Sequence, residues 1–130
     1  MATIFTKIVK GEIPCYKVAE TDDYLAFLDI NPLQEGHTLV IPKQEVSYLF
    51  NLNDEAHAGL WNFAKKVAKA IECVVPCQRI GVTVIGLEVP HAHIHLIPIS
   101  GLYDMDFTKH KKTFTPEQFQ ETARKISEKV

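Results

Sequence analysis

Cysteine is scarce in this sequence and poorly spaced for a structural role. Cys15, Cys73 and Cys77 are its three cysteines, an odd number without a C-x-x-C pair, which excludes a closed disulfide framework. An excess of one charge is missing as well. Fourteen Lys and Arg against sixteen Asp and Glu leave a formal net charge of −2, so the strong positive field of a nucleic-acid binder is absent and no polymeric nucleic acid is expected as a partner. No stretch approaches the ~18 apolar residues of a membrane span. The segment MATIFTKIVKGEIP carries Lys7, Lys10 and Glu12 and no apolar signal region, so a cytoplasmic protein with reduced cysteines and no membrane partner is expected. Internal repeats, low-complexity tracts and Ser/Gly linkers are also lacking, which predicts a single domain over 1–130. The 46% of apolar residues is enough to give that domain a core.

Hydrophobic periodicity outlines the elements. Ile4, Phe5 and Ile8 share a helical face that ends at Gly11 and Pro14, a short N-terminal helix. CYKVAE and YLAFLD read as a hairpin turned by Thr21, Asp22 and Asp23, and HTLVIP reads as a third strand. Asn53 is placed to cap a long helix on which Leu60, Phe63, Ala64, Val67, Ala68 and Ile71 recur, ending before Pro76. Strands are predicted at about 79–85 and 92–99, and Thr115-Pro116 with Gln118 opens a helix over about 116–129. The order predicts an α+β domain with a mainly antiparallel five-stranded sheet, a long central helix, a short N-terminal helix and a C-terminal helix.

The chemistry is concentrated in Glu88-Val89-Pro90-His91-Ala92-His93-Ile94-His95-Leu96. On a strand, His91, His93 and His95 face one way while Ala92, Ile94 and Leu96 face the other. A row of imidazoles makes an expensive core, because each ring needs hydrogen-bond partners and titrates near neutrality. Three explanations compete: a solvated or locally bonded row, a metal site, or nucleophilic and acid/base chemistry at phosphorus. In the last, neutral imidazole attacks while a neighbouring imidazolium steadies the anionic oxygens.

HAHIHLI at 91–97 satisfies, at every position, the His-φ-His-φ-His-φ-φ signature (φ apolar) of the histidine triad family of nucleotide-binding proteins and hydrolases, which this sequence resembles. IFTKIVKGEIP and LAFLDINPLQEGHTLVIPK extend the resemblance over almost the whole chain. The resemblance implies a histidine triad fold and hydrolysis of a purine nucleotide or nucleoside phosphoramidate through a nucleotidyl-histidine. His93 would be the nucleophile, His95 and His37 would contact phosphate, and His91 would orient His93. It also implies that Asp29 accepts the ribose hydroxyls, that Phe5, Ile8, Phe27 and Ile30 wall the base, and that the chain forms a homodimer. Apart from the resemblance, Asp29 also suits a turn before Asn31-Pro32, and the four apolar residues also suit plain packing. A dinucleoside polyphosphate hydrolase, or a nucleotide-binding regulatory protein with weak catalysis, is the alternative. No cofactor is expected.

The sequence departs from the family at two places. Many relatives hold a structural zinc with Cys-x-x-Cys and a later His, but the matching positions here are Thr3, Thr6 and Glu45. His91 remains, yet without thiolates no zinc, and no other metal, is expected. Before the triad, Leu87 replaces a glutamine, Ile80 stands at an asparagine position, and Glu88 occupies the place of a serine in phosphoramidase relatives. As a position on the nucleotide side of the site, an ionised Glu88 accepts only, and it repels phosphate.

Overall fold

The computed structural model describes residues 2–130, and three side-chain oxygens start its three α-helices. Thr3 Oγ1 accepts the Thr6 N–H at the start of α1 (Ile4–Val9), Asn53 accepts the Ala56 N–H at the start of α2 (Asp54–Val74), and Thr115 accepts the Gln118 N–H at the start of α3 (Pro116–Ser127). Each satisfies a backbone donor that the first helical turn leaves without a partner. Between the helices run β1 (Lys17–Glu20), β2 (Tyr24–Leu28), β3 (Thr38–Pro42), β4 (Arg79–Thr83) and β5 (Ile94–Ile99), with short 3-10 helices at Leu49–Asn51 and Leu102–Met105. The strands form one antiparallel sheet in the order β1-β2-β3-β5-β4. This is the α+β architecture expected.

Strand alternation divides the sheet into two differently used faces. Ala26, Leu28, Val40, Ile94 and Leu96 point to the side covered by α2 and α3, where Leu60, Phe63, Val67, Ile71 and Ile126 complete the main core. Leu60 and Phe63 are therefore internal, and Trp61 is half-buried, its indole donating to His57 Nε2 at 3.2 Å. Leu25, Phe27, Leu39 and Ile41 point to the other side, where only α1 and its Phe5 cover them. That thinner layer leaves room for a site.

β5 starts at Ile94, two residues later than the sequence suggests, and β4 stops at Thr83 rather than near 85. The reason lies in the facing strand. Pairing of β3 with β5 ends at Val40↔Ile94 because Pro42 has no N–H to continue the ladder, and the Ala92 N–H turns instead to the Val46 carbonyl at 2.7 Å. Residues 91–93 thus keep the alternation of a strand, with Ala92 in the main core, but not its ladder.

Gly59 is in the interior of α2, where glycine ordinarily weakens a helix. A Cβ there would meet the Tyr24 hydroxyl at 2.1 Å and its ring carbon at 2.9 Å, so the glycine lets Tyr24 cross the helix and donate to the Ala56 carbonyl at 3.0 Å. Exchanging glycine for alanine in a helix normally gains about 1 kcal/mol. Here Gly59→Ala is expected to lose stability, by roughly 1–3 kcal/mol of overpacking. Urea unfolding of the two proteins checks the sign.

Candidate active site

Four histidines converge on the face covered by α1, three from the 91–95 segment and His37 from the turn before β3. Leu39 pairs with His95 across the β3/β5 ladder, and His37, two residues earlier, shares its face. Ring centroids of His93 and His95 are 5.0 Å apart, and those of His37 and His95 are 5.2 Å apart. His37 and His91 are almost fully enclosed, at 1% and 0% exposure.

Hydrogen bonds decide which nitrogen of each ring carries the proton. The Leu33 backbone N–H donates to His37 Nδ1 at 3.0 Å, so that nitrogen offers a lone pair and the proton of the neutral ring is on Nε2. His37 Nε2–H then donates to His95 Nδ1 at 2.9 Å, which leaves the His95 proton on Nε2. On the other side of the pair, His93 Nδ1 is 2.7 Å from the His91 carbonyl, which can only accept, so His93 Nδ1 is protonated and Nε2 bears a lone pair. His91 Nε2–H in turn donates to the Pro42 carbonyl at 2.8 Å. The arrangement sets a nucleophilic imine nitrogen on one ring beside an N–H donor on the next.

Burial disfavours the charged form of His37, His91 and His95. Desolvation, aided by the Lys111 charge, pushes His37 down to about 3. Desolvation, with smaller effects of His37, His93 and Lys111, does the same to His95, also to about 3. His91 is lowered by burial too. In the free protein His95 is therefore a neutral N–H donor.

Phe5 packs edge-on against His93, His91 and Phe27, with centroids 5.1, 5.8 and 5.6 Å away. Ile8 joins that cluster half-buried, whereas Ile30 is 65% exposed. Ile30 lines a depression of about 700 Å³ between the start of β1 and α3, a hollow without imidazoles, so the structure does not bring it to the Phe5 cluster. Asp29 Oδ1 accepts the Asn31 N–H at 2.8 Å as a turn acid does, while Oδ2 lies 3.6 Å from His37 Nε2. Glu88 and Leu87 are exposed, and Glu88 makes no hydrogen bond or ion pair among the described residues.

The 102–114 segment, polar and aromatic with Lys109, His110, Lys111 and Lys112 clustered, folds back onto the histidines. Phe107 stands edge-on to His95 and His37, with centroids 5.1 and 6.2 Å away, and Lys111 Nζ donates to the Phe107 carbonyl at 2.8 Å. The Lys112 N–H on the Pro32 carbonyl, at 2.8 Å, and the Gln34 amide on the Asp104 carbonyl, at 3.3 Å, tie this loop to the turn that carries His37. A polar loop without hydrophobic period offers no signal for a single aromatic residue that folds back onto a site.

Asp29, His37 and His95 bring three potential metal-ligand atoms within 4.8 Å of one another. The donor chemistry opposes a metal there, because His37 Nε2 carries the proton that the Leu33 N–H excludes from Nδ1.

Comparison with known proteins follows from this geometry. A HIT domain family model matches residues 10–101. The adenosine 5'-monophosphoramidase of Schizosaccharomyces pombe is 41% identical, over 100% of this chain and 99% of that protein. A Hit-like protein of Bartonella henselae, described as involved in cell-cycle regulation, superposes with a TM-score of 0.85 at 32% identity, covering 98% of this chain and 96% of its own. A zinc-bound histidine triad protein of Mycobacterium smegmatis superposes with a TM-score of 0.80 at 26% identity, over 98% of this chain and 92% of its own. The zinc positions implied by the sequence resemblance do not suit that ion here. Thr3 and Thr6 supply hydroxyls in place of thiolates, and both hydroxyls are engaged by Glu45 and His91.

The depressed histidines make stability depend on pH. Between about 3 and the ordinary value near 6.5, an unfolded chain takes up protons that folded His37 and His95 refuse. Their contribution is complete above ~6.5 and is lost as the pH falls toward 3, by roughly 2 kcal/mol per ring between pH 7 and pH 5. Urea unfolding at those two pH values is expected to show that loss, with His95→Asn showing about half of it; equal stabilities would contradict it.

Proposed function

The chain belongs to the HIT domain family, and from that premise we propose that it hydrolyses a purine nucleoside phosphoramidate or a related nucleotide, releasing the nucleoside 5'-monophosphate. The observation that carries this reading is the pair of opposed tautomers: His93 Nε2 with its lone pair beside His95 Nε2–H. His93 Nε2 attacks the α-phosphorus, an N–P bond forms, and the bond to the leaving group breaks with its electron pair going to that group, which takes a proton. His93 keeps its Nδ1–H on the His91 carbonyl throughout, so the positive charge created on the ring is met by a fixed dipole. His95 Nε2–H donates to a phosphoryl oxygen, steered by His37. Water then cleaves the N–P bond to give the monophosphate and restores the imidazole. Asp29 Oδ2 takes the ribose hydroxyls, and the faces of Phe5 and Ile8 meet the base.

A second reading has its own support. Lys111 is close enough to lower both His37 and His95 and is held by the Phe107 carbonyl, so a polyphosphate leaving group would meet a cation. That favours the dinucleoside polyphosphate alternative within the same mechanism. A homodimer belongs to this reading as well, with β4 as an open sheet edge and Val82, Ile85 and Leu87 exposed on or after it. Among the described residues, no helix is long and apolar enough to cross a membrane.

Wild type is expected to release AMP from adenosine 5'-phosphoramidate and to yield a transient adenylylated species in intact mass spectra. His93→Ala should do neither; AMP binding without turnover by wild type would favour the regulatory alternative. Lys111→Ala is expected to lower kcat/KM for diadenosine tetraphosphate about tenfold more than for the phosphoramidate, equivalent to about 1.4 kcal/mol of lost selectivity. Equal effects on both substrates would remove Lys111 from leaving-group recognition.

A further inference from the structure

The hydroxyls of Thr3 and Thr6 meet at a single nitrogen of His91, and Glu45, far away in sequence, bonds both threonines. Thr6 Oγ1 donates to Glu45 Oε1 at 2.5 Å, and the Thr3 backbone N–H donates to the same oxygen at 2.9 Å. With the Thr6 proton committed to Glu45, Thr3 Oγ1 is the donor to His91 Nδ1 at 3.0 Å, sharing its proton with Thr6 Oγ1 at 3.2 Å, and the Thr6 oxygen is 3.4 Å from the same nitrogen. His91 Nδ1 must be an acceptor, since its Nε2–H is held by the Pro42 carbonyl. The ring is thereby bonded at both ends, and a half-turn of the imidazole would break both bonds.

The same threonine caps α1. Thr3 Oγ1 accepts the Thr6 N–H at 3.0 Å while giving its own proton to His91, so a single hydroxyl joins the start of the helix that carries Phe5 to the segment that carries the triad. Phe5 touches both His91 and His93 from that helix. Glu45, its carboxyl lowered by the Thr6 hydroxyl and the Thr3 N–H, accepts from both threonines and orders them.

The geometry points to Thr3, Thr6 and Glu45 as a positioning network: by fixing the His91 ring and its backbone, they hold the His91 carbonyl where it receives His93 Nδ1–H and so aim His93 Nε2. This rests on the reading of His93 as nucleophile. The network does by hydrogen bonds what a bound ion would do by coordination, which agrees with the misfit of these side chains to zinc. Thr3, Thr6 and Glu45 touch no reacting atom. Their effect is on the alignment of one that does, and misalignment acts on the chemical step more than on substrate affinity.

The experiment uses the full chain with Thr3→Ser, which keeps both cap and donor, and Thr3→Asp, which keeps the helix cap but offers the imidazole an acceptor in place of a donor. With adenosine 5'-phosphoramidate, Thr3→Asp is expected to lose about tenfold in kcat with KM changed less than about threefold, and Thr3→Ser to remain within about twofold of wild type. Nitrogen-15 spectra of labelled histidine provide a readout that needs no turnover. Wild-type His91 should be a neutral ring protonated at Nε2 with a hydrogen-bonded Nδ1, and that Nδ1 signal should shift in Thr3→Asp but not in Thr3→Ser. Wild-type kcat in Thr3→Asp, where His93→Ala is inactive, overturns the network and leaves the hydrolase reading standing. If wild type shows no His93-dependent turnover, the hydrolase reading fails, and an Nδ1 signal that ignores Thr3 overturns the network separately.

Discussion

An imidazole removed from water seeks a partner for each ring nitrogen, and the site depends on how that demand is divided: His37 and His91 are bonded at both nitrogens, His93 and His95 at Nδ1. The Leu33 N–H starts one series, running through His37 to His95. The Pro42 carbonyl starts the other at His91, whose own carbonyl holds His93. Each series begins at a backbone group that can act in only one sense, so the proton positions along it are set without titration. Two independent backbone anchors produce opposite ends at the centre: a bare nitrogen on His93 and a protonated one on His95.

Such anchors are useful only if the backbone that bears them does not move. The sheet supplies this by giving its two faces different tasks. α2 and α3 close one face with aliphatic packing, and the other has a thin cover of α1 and the 102–114 loop. Histidines 91 and 93 lie on backbone without ladder pairing, but Ala92 between them is packed in the main core and bonded to Val46. The irregular stretch is therefore fixed through its neighbours.

Much of this was legible in the sequence because it is written in local pattern. Periodicity and caps placed α2 and α3, with Asn53 and the Thr115–Gln118 box at their starts, and alternation placed the histidines opposite Ala92, Ile94 and Leu96. The strand limits near 91 were less clear, since they depend on Pro42 in a different strand. What was hidden altogether is whatever depends on chain return: Phe107 over His95, the Leu33 N–H on His37, and the meeting of Thr3 with Glu45. Residue type alone does not set the charge of His95; the enclosure of the ring keeps it neutral. Thr3, Thr6 and Glu45 were readable as the loss of two thiolates and an imidazole, but what replaces those ligands is a matter of distances.

The junction at His91 also has a chemical temperament. Hydroxyl and carboxylate groups do not climb the oxidation ladder that turns thiols into sulfenic acids and disulfides, and they surrender nothing to a chelator. The three cysteines of the chain are elsewhere, Cys73 exposed on α2 and Cys15 and Cys77 half-buried. An oxidising or metal-poor environment therefore reaches the surface thiols of this protein before it reaches the support of its histidines.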